Sequence, residues 1–123
     1  MLKLVFTLRR LPELSREEFQ RYWLETHGPL VRKNAAALRI HRYVQVHTLD
    51  DEINGALRAS RSAPEEYDGV AELWWRTRED LVAALATPEG QSAGRELLED
   101  ERRFIDLSRS PLWLGEEKPQ VEP

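Results

Sequence analysis

Asp68-Gly69-Val70-Ala71-Glu72-Leu73-Trp74-Trp75-Arg76 alternates along its length, with Val70, Glu72 and Trp74 on one side and Ala71, Leu73 and Trp75 on the other. Side chains of a strand project to opposite faces with a period of two. The segment therefore reads as a strand with large apolar groups on both faces. When helices cover one face of a sheet, the other is ordinarily polar. A tryptophan on that second face carries on the order of 150–250 Å² of surface, which left wet favours association. Pairing sheet to sheet with a second copy hides it and gives a barrel-like homodimer. The simpler alternative is a tryptophan at a sheet edge under a loop.

The rest of the chain supplies the elements this strand needs. Leu2, Leu4, Phe6 and Leu8 alternate with Lys3, Val5 and Thr7, predicting a first strand that ends before Pro12. Ser15-Arg16-Glu17-Glu18 fits a capping box, with Leu14 and Phe19 at the staple positions. Phe19, Tyr22, Trp23, Thr26 and Leu30 then follow helical spacing. Gly28-Pro29 breaks or restarts this helix, because Pro29 cannot donate to the Glu25 carbonyl. Residues 39–49 read as a second strand, with Tyr43, Gln45 and His47 on one face and Arg42, Val44 and Val46 on the other. Residues 50–66 contain Asn54-Gly55 and read as a long loop. Thr77 caps a short helix, Thr87-Pro88 opens another, and residues 111–114 form the last strand.

The order is βαββαβ, the ferredoxin-like pattern. The expected fold class is α+β, with a four-stranded antiparallel sheet and the second helical region split in two. Residues 1–114 form one domain, and residues 115–123 are expected to be a flexible polar tail.

The 123 residues suffice for one domain. There are no cysteines, which excludes disulfides, thiolate metal sites and Cys nucleophiles. The net charge of −4 lacks the basic field that nucleic-acid binding needs. No apolar run is long enough for a membrane span. Residues 1–10 end in two arginines, the reverse of a secretion signal, so a cytoplasmic protein is expected.

Four motifs together resemble the EthD family of the dimeric α/β-barrel superfamily: residues 22–31 (YWLETHGPLV), 42–47 (RYVQVH), 67–74 (YDGVAELW), and Asp100-Glu101 followed by Phe104-Ile105-Asp106. The resemblance runs from about residue 2 to 114. It implies the dimeric α/β barrel and a ligand cleft between helices and sheet. Some fungal relatives resemble dehydratases that use a histidine as acid/base, while most members have no assigned reaction.

His27 is the candidate acid/base, because an imidazole moves protons near neutral pH. Its alternative role is to pack the broken turn. Tyr43, Gln45 and His47 share a face and could surround a substrate, or instead form a self-satisfied polar network. Glu72 and Trp74 are further substrate-binding candidates. The alternative for Glu72 is a salt bridge to a neighbour such as Arg42. His41 and His47 lie about 20 Å apart along a strand, and the glycines are scattered, so no metal or nucleotide cofactor is expected. The expectation is a cofactor-independent lyase or isomerase acting by proton transfer on a cyclic or polyketide-like small molecule. The alternatives are a non-enzymatic ligand-binding dimer and a cofactor-free monooxygenase.

Overall fold

The computed structural model describes residues Met1–Pro123. The elements run β1 (Leu2–Leu8), α1 (Arg16–Tyr22), a π-helical turn (Trp23–His27), α2 (Gly28–Asn34), β2 (Arg42–His47), α3 (Glu52–Arg61), β3 (Gly69–Trp75), α4 (Arg78–Ala86), α5 (Pro88–Glu101), a 3₁₀ turn (Leu107–Arg109) and β4 (Leu112–Glu116). The sheet order is β2-β3-β1-β4, and every neighbouring pair is antiparallel. This is the ferredoxin-like α+β fold.

Local chemistry sets the helix starts. The Ser15 hydroxyl accepts the Glu18 N–H at 3.0 Å while Glu18 accepts the Ser15 N–H at 3.0 Å, closing the capping box. Thr77 and Thr87 cap α4 and α5 by accepting from Asp80 and Gly90.

The break expected at Gly28-Pro29 is absorbed one turn earlier. The Gly28 N–H donates to the Trp23 carbonyl, five residues back, so the chain widens into a π turn and α2 restarts at Gly28. Regular spacing would put Thr26 inward. The wider turn leaves Thr26 exposed and turns His27 inward instead, with 5 % of its surface accessible.

The segment expected as a loop over residues 50–66 contains α3. Asp51 caps it by accepting the Ile53 N–H at 2.8 Å. Asn54 donates to the Leu49 carbonyl, tying down the Asn54-Gly55 pair that reads as a turn. The strand β4 also runs on to Glu116, so the sheet takes in the first residues of the expected tail.

Opposed residues in the ladders share a face. Leu4, Leu73 and Tyr43 lie toward the helices, while Lys3, Trp74 and Arg42 lie on the outer face. The core forms two clusters. One holds Phe6, Leu8, Phe19, Trp23, Phe104 and neighbours, and the other holds Val31, Leu38, Ala93 and Leu97. Tyr43 packs against both.

Trp74 does not need a second copy to be hidden. Within one chain it is only 5 % exposed. Lys3 and Arg42 lie over its ring at 4.7 and 4.5 Å, and its Nε1 donates to Glu117 at 2.7 Å. Trp75 is buried on the helix side, donating to the Leu38 carbonyl at 2.8 Å. What stays open on the outer face is Val46 and Trp113, about half exposed.

Candidate functional site

The π turn aims His27 at the end of α5. There His27 Nδ1 lies 2.8 Å from Asp100 Oδ2, with both side chains buried. The Tyr22 hydroxyl donates to the other carboxylate oxygen at 2.5 Å, and Arg103 donates to the same oxygen at 3.1 Å. Burial alone would raise the Asp100 pKa, but these hydrogen bonds more than offset it and hold the carboxyl below its usual value. Asp100 is therefore an ionised acceptor, which fixes the His27 proton on Nδ1 and leaves Nε2 with its lone pair.

Burial pushes the His27 pKa below its ordinary value, and the Asp100 interaction only partly opposes this. The imidazole is neutral at pH 7, as a general base should be. Every buried side-chain polar atom has a hydrogen-bond partner. Nε2 has none, so it is in contact with open space.

His27 also lines a cavity of about 240 Å³ between the helices and the sheet, a little below the range of ~300–1,000 Å³ common for ligand pockets. It lies between the two core clusters, and sixteen of its nineteen lining residues are hydrophobic. The exceptions are His27, Gly94 and Glu101. Burial, with the Asp100 charge beside it, pushes the Glu101 pKa up to about 7. At neutral pH this carboxyl is poised between donor and acceptor. A neutral imidazole and a half-protonated carboxyl in one apolar chamber can divide base and acid roles between them.

Tyr43 also lines the cavity, and burial raises its phenol pKa, so it stays protonated. Its oxygen accepts from Gln45 Nε2 at 2.8 Å, leaving its own proton to donate. The second Gln45 N–H goes to the Trp23 carbonyl at 2.9 Å, and Gln45 Oε1 pairs with His47 Nε2 at 2.8 Å. The His47 ring stacks on Trp23 at 4.4 Å. Gly69 makes this packing possible, because a Cβ there would overlap the Trp23 ring. Of the strand-two row, then, only Tyr43 reaches the cavity. Gln45 and His47 brace it from behind.

Glu72 and Trp74 lie on the outer face, away from the cavity. Glu72 pairs with Lys3, not with Arg42 as the sequence suggests. Arg42 instead covers Trp74. Sequence reasoning overlooked Asp100 and Glu101 as site residues. Helical spacing already aligned Glu101 with Leu97 and Ile105, and a carboxylate on an apolar helix face was the available signal. No group of three or more His, Cys, Asp or Glu is arranged to hold a metal ion.

The EthD domain profile matches residues 11–108. A Metarhizium robertsii protein named conidial pigment biosynthesis dehydratase EthD is 27% identical over 120 residues, covering 94% of this chain and 81% of that protein. The crystal structure of an EthD family protein from Bacillus halodurans aligns with a TM-score of 0.62 and 21% identity, covering 96% of this chain and all of that one. A Bacteroides fragilis protein of unknown function, described as dimeric and ferredoxin-like, aligns at 0.58 and 10% identity, covering 94% and 95%. With a ferredoxin-like sheet and a domain match that takes in the π turn, β2, β3 and α5, this chain belongs to the EthD family.

Proposed function

We propose that this protein is a cofactor-independent lyase or isomerase that moves protons on a cyclic or polyketide-like substrate, working as a cytoplasmic homodimer. The observation that carries the reading is His27, held by Asp100, on the wall of an apolar chamber that Glu101 also lines. The Metarhizium relative, named as a dehydratase, supports the reaction class.

In a dehydration, His27 Nε2 removes a proton from the carbon beside a carbonyl. The Tyr43 hydroxyl donates a hydrogen bond to the carbonyl oxygen as negative charge gathers there. Protonated Glu101 gives its proton to the departing β-hydroxyl, which leaves as water, and a carbon–carbon double bond forms. His27 has then gained one proton and Glu101 has lost one, and exchange with water restores both.

The homodimer reading draws on the half-exposed Val46 and Trp113 of the outer sheet face and on the dimeric Bacteroides neighbour. A non-enzymatic ligand-binding module is favoured by one observation, the hydrogen-bonded chain that links Tyr43, Gln45 and His47 to one another. Deuterium exchange separates the two readings. Cyclic β-hydroxyketones and their parent ketones are incubated in D₂O with wild type and with His27→Ala. The enzyme reading expects exchange at the carbon beside the carbonyl, lost in the variant; exchange equal in both removes His27 from the chemistry.

A further inference from the structure

Beside the apolar cavity lies a second hollow of about 500 Å³, opening along the edge strand β2. The two share a wall made by Val31, Ile40 and Tyr43. Their chemistry differs sharply. The second hollow is lined by Arg32, His41, Arg42 and His47 and by no carboxylate at all, although the chain as a whole carries a net charge of −4. Several of the protein's other arginines are spent on carboxylates: Arg10 and Arg16 on Asp68, Arg58 on Glu66, Arg103 on Asp100.

Arg32 has no ion pair within 4.0 Å and makes no side-chain hydrogen bond, and the same holds for Arg42. Arg42 is held by stacking on Trp74 and lies in the field of Glu117. Arg32 is the freer of the two. Its Nη1 would stand 3.8 Å from a Cβ at Gly28, so the guanidinium lies beside the Gly28 backbone, where Gln45 also packs closely. Gly28 follows His27 in the chain, so Arg32 stands beside the turn that carries the proposed base.

We propose that the basic hollow seats the carboxylate of the substrate, and that the substrate is an amphiphilic organic acid whose ring system enters the apolar cavity past Tyr43. The inference rests on the reading of that cavity as a substrate site, and it narrows the substrate class. Arg32 is the principal anchor, since a guanidinium presents paired donors to a carboxylate. Tyr43, at the shared wall, lies in the fields of both Arg32 and Glu101, as a group between an acid-binding mouth and a reaction chamber would. Elsewhere the cavity is lined almost wholly by aliphatic and aromatic side chains, which suit the ring system and reject the charge.

The test is calorimetric titration with naphthalene-2-carboxylate and its methyl ester at low ionic strength, where an exposed cation is least screened. Wild type is expected to bind the acid roughly tenfold tighter than the ester, the preference one charge-assisted hydrogen-bonded pair supplies. Arg32→Gln should abolish the preference while leaving ester affinity unchanged, and Arg32→Lys should restore part of it. Arg32 is exposed and unpaired, so these variants should fold, which far-ultraviolet circular dichroism checks. Equal affinity for acid and ester in wild type overturns the anion seat and leaves the proton-transfer reading intact. A preference that survives Arg32→Gln overturns the assignment to Arg32. Failure of both probes to bind removes the cavity as a ligand site and takes both readings with it.

Discussion

Replacing Glu101 by Gln should stabilise the fold at alkaline pH while damaging function. In the folded chain the Glu101 pKa is raised from 4.5 to about 7, chiefly by burial and then by the neighbouring Asp100 charge. Below pH 4.5 the group is protonated whether folded or unfolded, and it costs nothing. Between 4.5 and 7 the unfolded chain releases the proton and the folded chain keeps it, so stability falls as pH rises. Above 7 the carboxylate is charged in both states and the full penalty stands. At about 1.4 kcal/mol per pH unit, that penalty is roughly 3 kcal/mol. His27 and His47, whose pKa values burial lowers, contribute the opposite slope just below pH 6.5. Subtracting the wild-type curve from that of the variant cancels them. The assay is urea unfolding from pH 4.5 to 8.5 at one fixed protein concentration, with the slope m checked for constancy. Glu101→Gln should match wild type near pH 4.5 and exceed it by roughly 3 kcal/mol at pH 8. Parallel curves across the whole range would refute the raised pKa and with it the acid role of Glu101.

Asp100→Asn should lower proton-exchange activity by roughly 10²–10⁴-fold, because an amide can donate to Nδ1 and drive the His27 proton onto Nε2. Isotope exchange on a ketone substrate reads this directly. Gly69→Ala forces a Cβ against the Trp23 ring. The expected loss is about 1–3 kcal/mol, read by thermal unfolding, with a shifted tryptophan emission. Val46→Glu puts a charge on the open outer sheet face. Sedimentation equilibrium should show it shifting the protein toward monomer, and an unaltered dimer would move the interface elsewhere.

The sequence disclosed whatever depends on near neighbours. Ser15 and Glu18 sit three residues apart, so their reciprocal cap is visible in the string. The alternation of Tyr43, Gln45 and His47 correctly gave them one face. The string did not show that Gln45 bonds to both neighbours, since side-chain torsions decide that and periodicity does not. Gly28-Pro29 announced a disturbed helix, but whether the chain would kink or widen depended on tertiary contacts. Gln45 Nε2 donates to the Trp23 carbonyl that anchors the π turn, and only the folded chain brings the two together. The same limit explains Trp74. Its cover comes from Lys3 on β1, Arg42 on β2 and Glu117 beyond β4, each distant in sequence. Helix α3 was hidden by Asn54-Gly55, a strong turn signal that the Asp51 cap overrides. Asp100 stood in view as part of a motif, but its bond to His27 spans 73 residues.

The pairing of His27 with Asp100 is read most directly by nitrogen NMR of the histidine side chains across pH 5–8, with Asp100→Asn for assignment. The His27 imidazole should stay neutral below pH 6.5, with its proton on Nδ1, and Asp100→Asn should move that proton to Nε2. A His27 ring that is protonated at pH 7, or that carries its proton on Nε2 in the wild-type protein, would contradict a base facing the cavity.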